Sequence, residues 1–394
     1  MSVATTPLAS DVRPRVQSQQ RSDGYRVCVK CIMDTTDPEI EFDAHGRCNH
    51  CVRYDQRMAN EWFTGEAAKA RLDRLVENVR SAGRGREYDC IIGVSGGVDS
   101  TTVAYHVKRL GLRPLALHLD NGWNSELAVD NIRKMLEKLE IDLITHVIDW
   151  REFRDLQRSF LKASVPNCEI PTDHAINALL INTALKKGIR YILHGGNLAT
   201  EGIMPISWGY YNQDLKHLKA VHKRFGSSSL KTLPQIPLRR FVWAMTGKRM
   251  RYIPILNCLD YNKQAAKELI TGEFGWRDYG GKHFESIFTR FFQGYILPRK
   301  FGFDKRRAHL STLVCAGEID REEALREMTK PAYDPALQAE DREYVIKKLN
   351  FTEAEFDAIM SAPPRAHADY PSNRLYFHEL RRLKGLFKRI ATSV

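Results

Sequence analysis

This chain has no apolar run long enough to span a bilayer, which excludes a helical membrane protein. Its amino terminus lacks the basic-then-apolar pattern of an export signal. Eight cysteines in 394 residues are too few for a small disulfide scaffold. We therefore expect a cytoplasmic protein with no membrane span. Two chemistries are missing as well. No glycine-rich loop ends in the Lys-Ser/Thr pair of a Walker A phosphate site. No Gly-x-Cys-x-Gly nucleophile elbow surrounds Cys90, Cys168, Cys258 or Cys315, and the first cysteine, Cys28, is not amino-terminal, so no glutaminase centre is legible. With 43% hydrophobic and 27% charged residues, the composition is that of a globular protein. The length allows one large or two ordinary domains.

What is present centres on Ser95-Gly96-Gly97-Val98-Asp99-Ser100. An apolar run, Tyr88–Val94, precedes it, and a helical pattern from Thr101 to Leu110 follows, stopping at Gly111. A buried strand thus feeds a glycine turn that opens a helix. Such a turn lets backbone N–H groups approach an anion, and the helix terminus adds partial positive charge. Ser95 and Ser100 add hydroxyls, and Asp99 can cap the helix or hold a metal ion. Further strands are predicted over Leu112–Leu119, Leu143–Ile148 and Tyr191–Leu193, with helices near Ser125–Leu139 and Asp173–Lys187. This alternation predicts an α/β fold with a doubly wound parallel sheet, whose ligands bind at the carboxyl ends of the strands. His118–Trp123 and His194–Glu201 fall on that same edge. Asp173 reads either as a helix cap or as a catalytic or magnesium-binding carboxylate.

Ahead of this domain, Cys28-x-x-Cys31 and Cys48-x-x-Cys51 are separated by sixteen residues. Two such corners are the spacing of a four-thiolate zinc site, closed to water and hence structural. So few apolar residues lie between them that metal must supply the order. The boundaries we expect are a disordered tail over 1–24, a zinc module over 25–58 and a helical linker over 59–85. The sheet domain then covers 86–205, and a mostly helical substrate or partner region covers 206–394.

The formal net charge of +12 is unevenly spread. One basic stretch lies between Asp214 and Tyr252, and another runs from Arg374 to Arg389. Such patches suit anionic partners. Between Gly275 and Ser311 aromatics interleave with cations and glycines, a composition suited to stacking and phosphate binding.

Together these segments resemble the N-acetyl sugar amidotransferases, the WbpG/PseA-like branch of the PP-loop ATP pyrophosphatases. The resemblance runs from Cys28 to about Met328 and adds nothing past Pro331. It is carried by the four-cysteine segment, Ser95–Ser100, Pro171–Ile176, Gly195–Glu201, Tyr279–Ser286 and Lys300–Ser311. It implies an enzyme that uses ATP and Mg2+ to adenylate the acetamido oxygen of a nucleotide-activated sugar, then installs ammonia to give an acetamidine for surface polysaccharide. It implies that Ser95, Gly96, Gly97, Asp99 and Ser100 cradle the phosphates, that the neighbourhood of Leu119 receives adenine by backbone hydrogen bonds, and that Gly195, Asn197 and Glu201 lie near the phosphates. Asp99, Asp173, Lys282 and Lys305 become the catalytic candidates. His283, Arg290, Lys300 and Arg306 join Lys282 and Lys305 as candidates for phosphate or pyrophosphate. Ammonia is expected from a separate glutaminase subunit working with a cyclase-like barrel, and no nucleic acid partner is expected. The alternative is a PP-loop tRNA-thiolating or other tRNA-modifying enzyme; for thiolation Cys168 is the candidate reactive thiol.

Overall fold

The computed structural model describes residues 24–282 and 284–379. The amino-terminal tail up to residue 23, His283 and the basic run from residue 380 lie outside the described residues. Five parallel strands, β1 (Cys90–Gly93), β2 (Pro114–Asp120), β3 (Leu143–Val147), β4 (Tyr191–His194) and β5 (Arg251–Pro254), form one sheet in the order β3-β2-β1-β4-β5. Alternate side chains of β1 serve opposite faces. Ile92 packs among Val103, Val107, Ile132 and Met135, from the helices Val98–Arg109 and Glu126–Leu139. Ile91 packs against Ala178, Ile181 and Ala184 of the helix Ile170–Lys187. Both faces are therefore covered, which is why β1 reads as a continuous apolar run.

The order reverses beside β1: the chain proceeds to β2 and β3 on one side and to β4 and β5 on the other. That reversal opens a crevice between the carboxyl ends of β1 and β4. β5 was not legible in the sequence; it lies beyond the expected domain boundary at 205, so the sheet recruits a strand from the region read as helical. Asp173 is not a helix cap either. The helix begins at Ile170 with Glu169 as its N-cap, placing Asp173 in the first turn. Among the described residues no helix is long and apolar enough to cross a membrane.

Candidate active site

The loop after β1 is held open by its own hydroxyls. The Ser95 N–H donates to Ser100 Oγ at 3.3 Å, the Gly97 N–H donates to Ser95 Oγ at 3.3 Å, and Ser100 Oγ donates to the Gly97 carbonyl at 3.1 Å. The Trp276 indole N–H donates to the Gly96 carbonyl at 2.9 Å. Gly96 has φ +78°, and a Cβ there would press into the backbone of Ala128. A Cβ on Gly195 would come within 2.9 Å of the Asp99 backbone, so β4's loop and the new helix meet through bare backbone. Gly97 caps the helix Val98–Arg109 without a side-chain bond; the Val98 N–H meets the Tyr279 hydroxyl, and the helix N-terminus beside it still presents partial positive charge to an anion.

This loop forms one wall of a cleft of about 300 Å³. Gly195, Gly196 and Glu201 form a second wall, and Lys263, Lys267 and the segment Asp278–Lys282 with Glu285 close it. Lys282 Nζ lies 3.2 Å from Glu201 Oε1 and donates to the Thr200 carbonyl at 3.0 Å. The Tyr261 hydroxyl donates to Asp99 Oδ1. Burial pushes the Asp99 carboxyl above its usual range and the Glu201 charge adds to this, while Tyr261 and Lys282 pull it back. Burial, then the nearby Lys282 charge, lowers the Lys263 ammonium. Four carboxylates, Asp99, Glu201, Asp278 and Glu285, line the cleft with three lysines, of which Lys267 is paired with Asp278; beside a helix N-terminus, such a set can bind a polyphosphate together with a hard divalent cation.

The structure sorts the expected residues into two groups. Ser95, Gly97, Asp99, Ser100, Gly195, Glu201 and Lys282 line the cleft, and Gly96 holds the turn behind it. Asn197 instead caps the short helix Leu198–Glu201, its Oδ1 accepting from the Thr200 N–H at 2.9 Å. The side chain of Leu119 is buried in a separate core that it shares with the cysteine cluster. Asp173 and Lys305 are not part of the cleft lining; Lys305 Nζ lies 3.6 Å from Glu169 Oε2, at the start of the helix that carries Asp173.

Most cations of the basic-aromatic stretch are structural. Arg290 is paired with buried Asp341 at 2.7 Å, Lys300 donates to the carbonyls of Ile359 and Ala362, and Arg306 is bound to Asp304. Lys263 and Lys267, which line the cleft, and Tyr261, buried behind it on Asp99, are residues that sequence reasoning missed. They sit around the start of the helix Lys263–Phe274, with no motif to mark them. Cys168 is fully buried, its thiol pushed up to about 12 by burial, which is the opposite of a reactive thiolate.

The four cysteines converge. Cys28 and Cys51 sulfurs lie 3.8 Å apart, Cys31 and Cys48 3.7 Å, and Cys48 and Cys51 3.6 Å. A tetrahedron of thiolates at the usual Zn–S bond length has edges of about 3.8 Å, so the donor set fits a closed zinc site. Backbone N–H groups of Lys30 and Cys48 point at Cys28 Sγ, and that of Met33 at Cys31 Sγ, as thiolates require. Cys315, which no pattern flagged, lies 3.7 Å from Cys51. The module is not freestanding. Arg321 donates to the carbonyls of Cys28 and Cys31, and Arg307 pairs with Asp34 at 3.0 Å. The helix Asn49–Glu61 that leaves the cluster packs Tyr54 against Gly202, and Arg57 donates to the Gly202 carbonyl. The cysteine module therefore buttresses the loop that carries Glu201.

Two family models match. Residues 285–384 match the C-terminal domain of the LPS biosynthesis protein WbpG family, extending past the limit near Pro331 expected from sequence. Residues 89–183 match the queuosine biosynthesis protein QueC family. The chain is 31% identical over 137 residues to a glutamine-hydrolysing GMP synthase of Pyrobaculum aerophilum, a stretch covering 34% of this chain and 24% of that protein. The chain thus spans about a quarter of that relative's length. It is 23% identical to an uncharacterised protein of Methanocaldococcus jannaschii, over 72% of this chain and 86% of that one. Among solved structures, an NH3-dependent NAD synthetase from Campylobacter jejuni overlaps at a TM-score of 0.30, with 14% identity over 76% of this chain and 98% of the other. An NMN synthetase from Francisella tularensis overlaps at 0.28, with 16% identity over 55% and 89%. Overlaps this loose add nothing to the fold described above.

Proposed function

We propose that this chain is a WbpG-like PP-loop ATP pyrophosphatase that converts the acetamido group of a nucleotide-activated sugar into an acetamidine in the cytoplasm, for surface polysaccharide. The observation that carries this reading is the closure of the glycine-loop cleft by Lys282 and Glu285, at the threshold of the WbpG-like domain.

An amide carbon resists ammonia until its oxygen becomes a leaving group. In the proposed reaction the amide oxygen attacks the α-phosphorus of ATP, the bond to the bridging oxygen breaks, and pyrophosphate leaves. Ammonia then adds to the activated carbon, AMP departs with the former amide oxygen, and loss of a proton from nitrogen gives the amidine. Ser95, Gly97, Ser100 and the helix N-terminus would hold the departing pyrophosphate in place. Lys282, with Lys263 beside it, would neutralise its growing charge. Asp99 and Glu201 offer the oxygen donors that Mg2+ takes, and a bound Mg2+ would spread the phosphate charge. The Tyr261 hydroxyl orients Asp99. Zinc in the four-cysteine site would hold the Glu201 loop without touching substrate. Since no glutaminase centre is legible, ammonia would come from a separate glutaminase chain with its cyclase-like barrel.

The test is incubation with ATP, Mg2+, ammonium and candidate nucleotide sugars bearing acetamido groups. AMP and pyrophosphate should appear only with an accepted sugar, whose mass should fall by the difference between oxygen and NH. If ATP is cleaved only with tRNA and a sulfur donor, thiolation replaces this reading.

A further inference from the structure

A second polar pocket, of about 280 Å³, lies apart from the cleft. It is lined by Arg151, Arg154, Arg158, Ser227, Ser228 and Asn350. The three arginines stand at i, i+3 and i+7 of the helix Trp150–Ala163, so they share one face. Arg158 is fixed: it donates to the Leu349 carbonyl at 2.7 Å and to that of Asn350, and it stacks over Phe351 at 3.9 Å. It also lies 3.8 Å from Glu355. Arg151 and Arg154 have no ion-pair partner among the described residues. The one carboxylate in the lining, Asp155, is already engaged by the N–H groups of Ser227 and Ser228 at 2.8 and 3.0 Å and by His222 at 2.9 Å. Two guanidinium forks are thus left over, facing a small space with no apolar or aromatic wall.

We propose that this pocket binds a phosphoryl group, as inorganic phosphate, pyrophosphate or the diphosphate of a nucleotide. Guanidinium forks match phosphate oxygens bidentately, and the two arginines carry the recognition alone, since the Ser227 hydroxyl already donates to Asp155 Oδ1 at 3.1 Å. No apolar or aromatic side chain lines the pocket, so the arginines select for the phosphoryl group and not for a lipid chain. The pocket lies near the carboxyl end of β3, and Trp150, at the head of its helix, meets Trp123 edge-on at 5.4 Å. The Ile287 N–H in turn bonds the Trp123 carbonyl, two residues beyond the cleft residue Glu285. The pocket joins the sheet domain to Asn350 of the WbpG-like segment, so an anion there would pin the two together.

Titration calorimetry on the full chain tests this with the main cleft filled by α,β-methylene-ATP. Phosphate, pyrophosphate and UDP are added in separate arms, which distinguishes the sources. At least one should bind one-to-one, and the double variant Arg151→Ala/Arg154→Ala should weaken it at least tenfold while leaving affinity for the ATP analogue within twofold. Arg154→Lys keeps the charge and loses the fork, and it should weaken binding severalfold. Failure of all three anions to bind, or binding unchanged in the double variant, would overturn the assignment. Full binding by Arg154→Lys would also count against a built site.

Discussion

Replacing Gly96 with alanine separates the two reasons for a glycine in the cradle. The first is backbone conformation: at φ +78° an L-residue costs about 1–2 kcal/mol. The second is space. The added Cβ would press on the Ala128 carbonyl oxygen and stand 3.1 Å from its Cα. That neighbour is backbone in the first turn of the helix Glu126–Leu139 and has no rotamer to give. Overpacking of this kind costs about 1–3 kcal/mol. Any shift also stretches the Trp276–Gly96 bond, worth about 1 kcal/mol. The total is on the order of 4 kcal/mol. Two companions apportion it. Gly317 has φ +77° with nothing within 4 Å of its Cβ position, so Gly317→Ala should show the conformational part alone. Gly97 has φ −76°, and its Cβ would meet mainly the Tyr279 hydroxyl at 2.9 Å, the end of a side chain. Gly97→Ala should therefore cost little stability yet crowd the cleft. Urea unfolding gives the three stability losses, and equilibrium binding gives ATP affinity. The reasoning fails if Gly96→Ala loses no more stability than Gly317→Ala, or if Gly96→Ala binds ATP as the parent does.

Lys282→Met should lower sugar-dependent pyrophosphate release by roughly 100- to 1000-fold, the usual effect of deleting one charge-stabilising donor, with little change in melting temperature; unchanged release would remove Lys282 from the chemistry. Cys48→Ser should abolish stoichiometric zinc, measured by metal analysis, and render both Asn49–Glu61 and the Glu201 loop sensitive to protease. A metal-free variant that resists protease and still cleaves ATP would contradict the buttressing role. Acid should destabilise the fold through the contact of His217 with His367, whose ring nitrogens lie 3.2 Å apart. Burial lowers His217 to about 4 and His367 to about 3, the latter also through His217. Because these folded values lie below the ordinary 6.5, the neutral pair's contribution is complete above pH 6.5 and is lost as pH falls towards 4. The loss is on the order of 3 kcal/mol for the first proton. Melting curves across this range should steepen at the acid end, and His217→Phe, which removes the group that takes the first proton, should flatten them.

Local patterns made the sheet and half of the site legible. The run into Ser95 and the four cysteine positions announce themselves because strand, turn and metal spacing are short-range properties. β5 was missed because Arg251–Pro254 is four residues long, half-exposed and bounded by proline, so only its pairing with β4 makes it a strand. Lys263 and Tyr261 were missed because nothing near them in sequence marks a phosphate site; the sheet's reversal brings them to Asp99. Lys300 and Arg306 misled for the converse reason. A cation capping helix carbonyls and a cation facing a ligand look alike until their partners are placed. The cysteine module was recognised, but its function as a brace behind Glu201 depends on Tyr54 and Arg57 meeting Gly202, a long-range contact.

The central claim is that the amide oxygen of a nucleotide sugar is the group adenylated. A substrate carrying heavy oxygen in its acetamido carbonyl tests it directly, with mass spectrometry of the AMP formed. The account predicts that every turnover moves the label into the phosphate of AMP and leaves an unlabelled amidine. AMP without label, or pyrophosphate release with the labelled acetamido group intact, would contradict it.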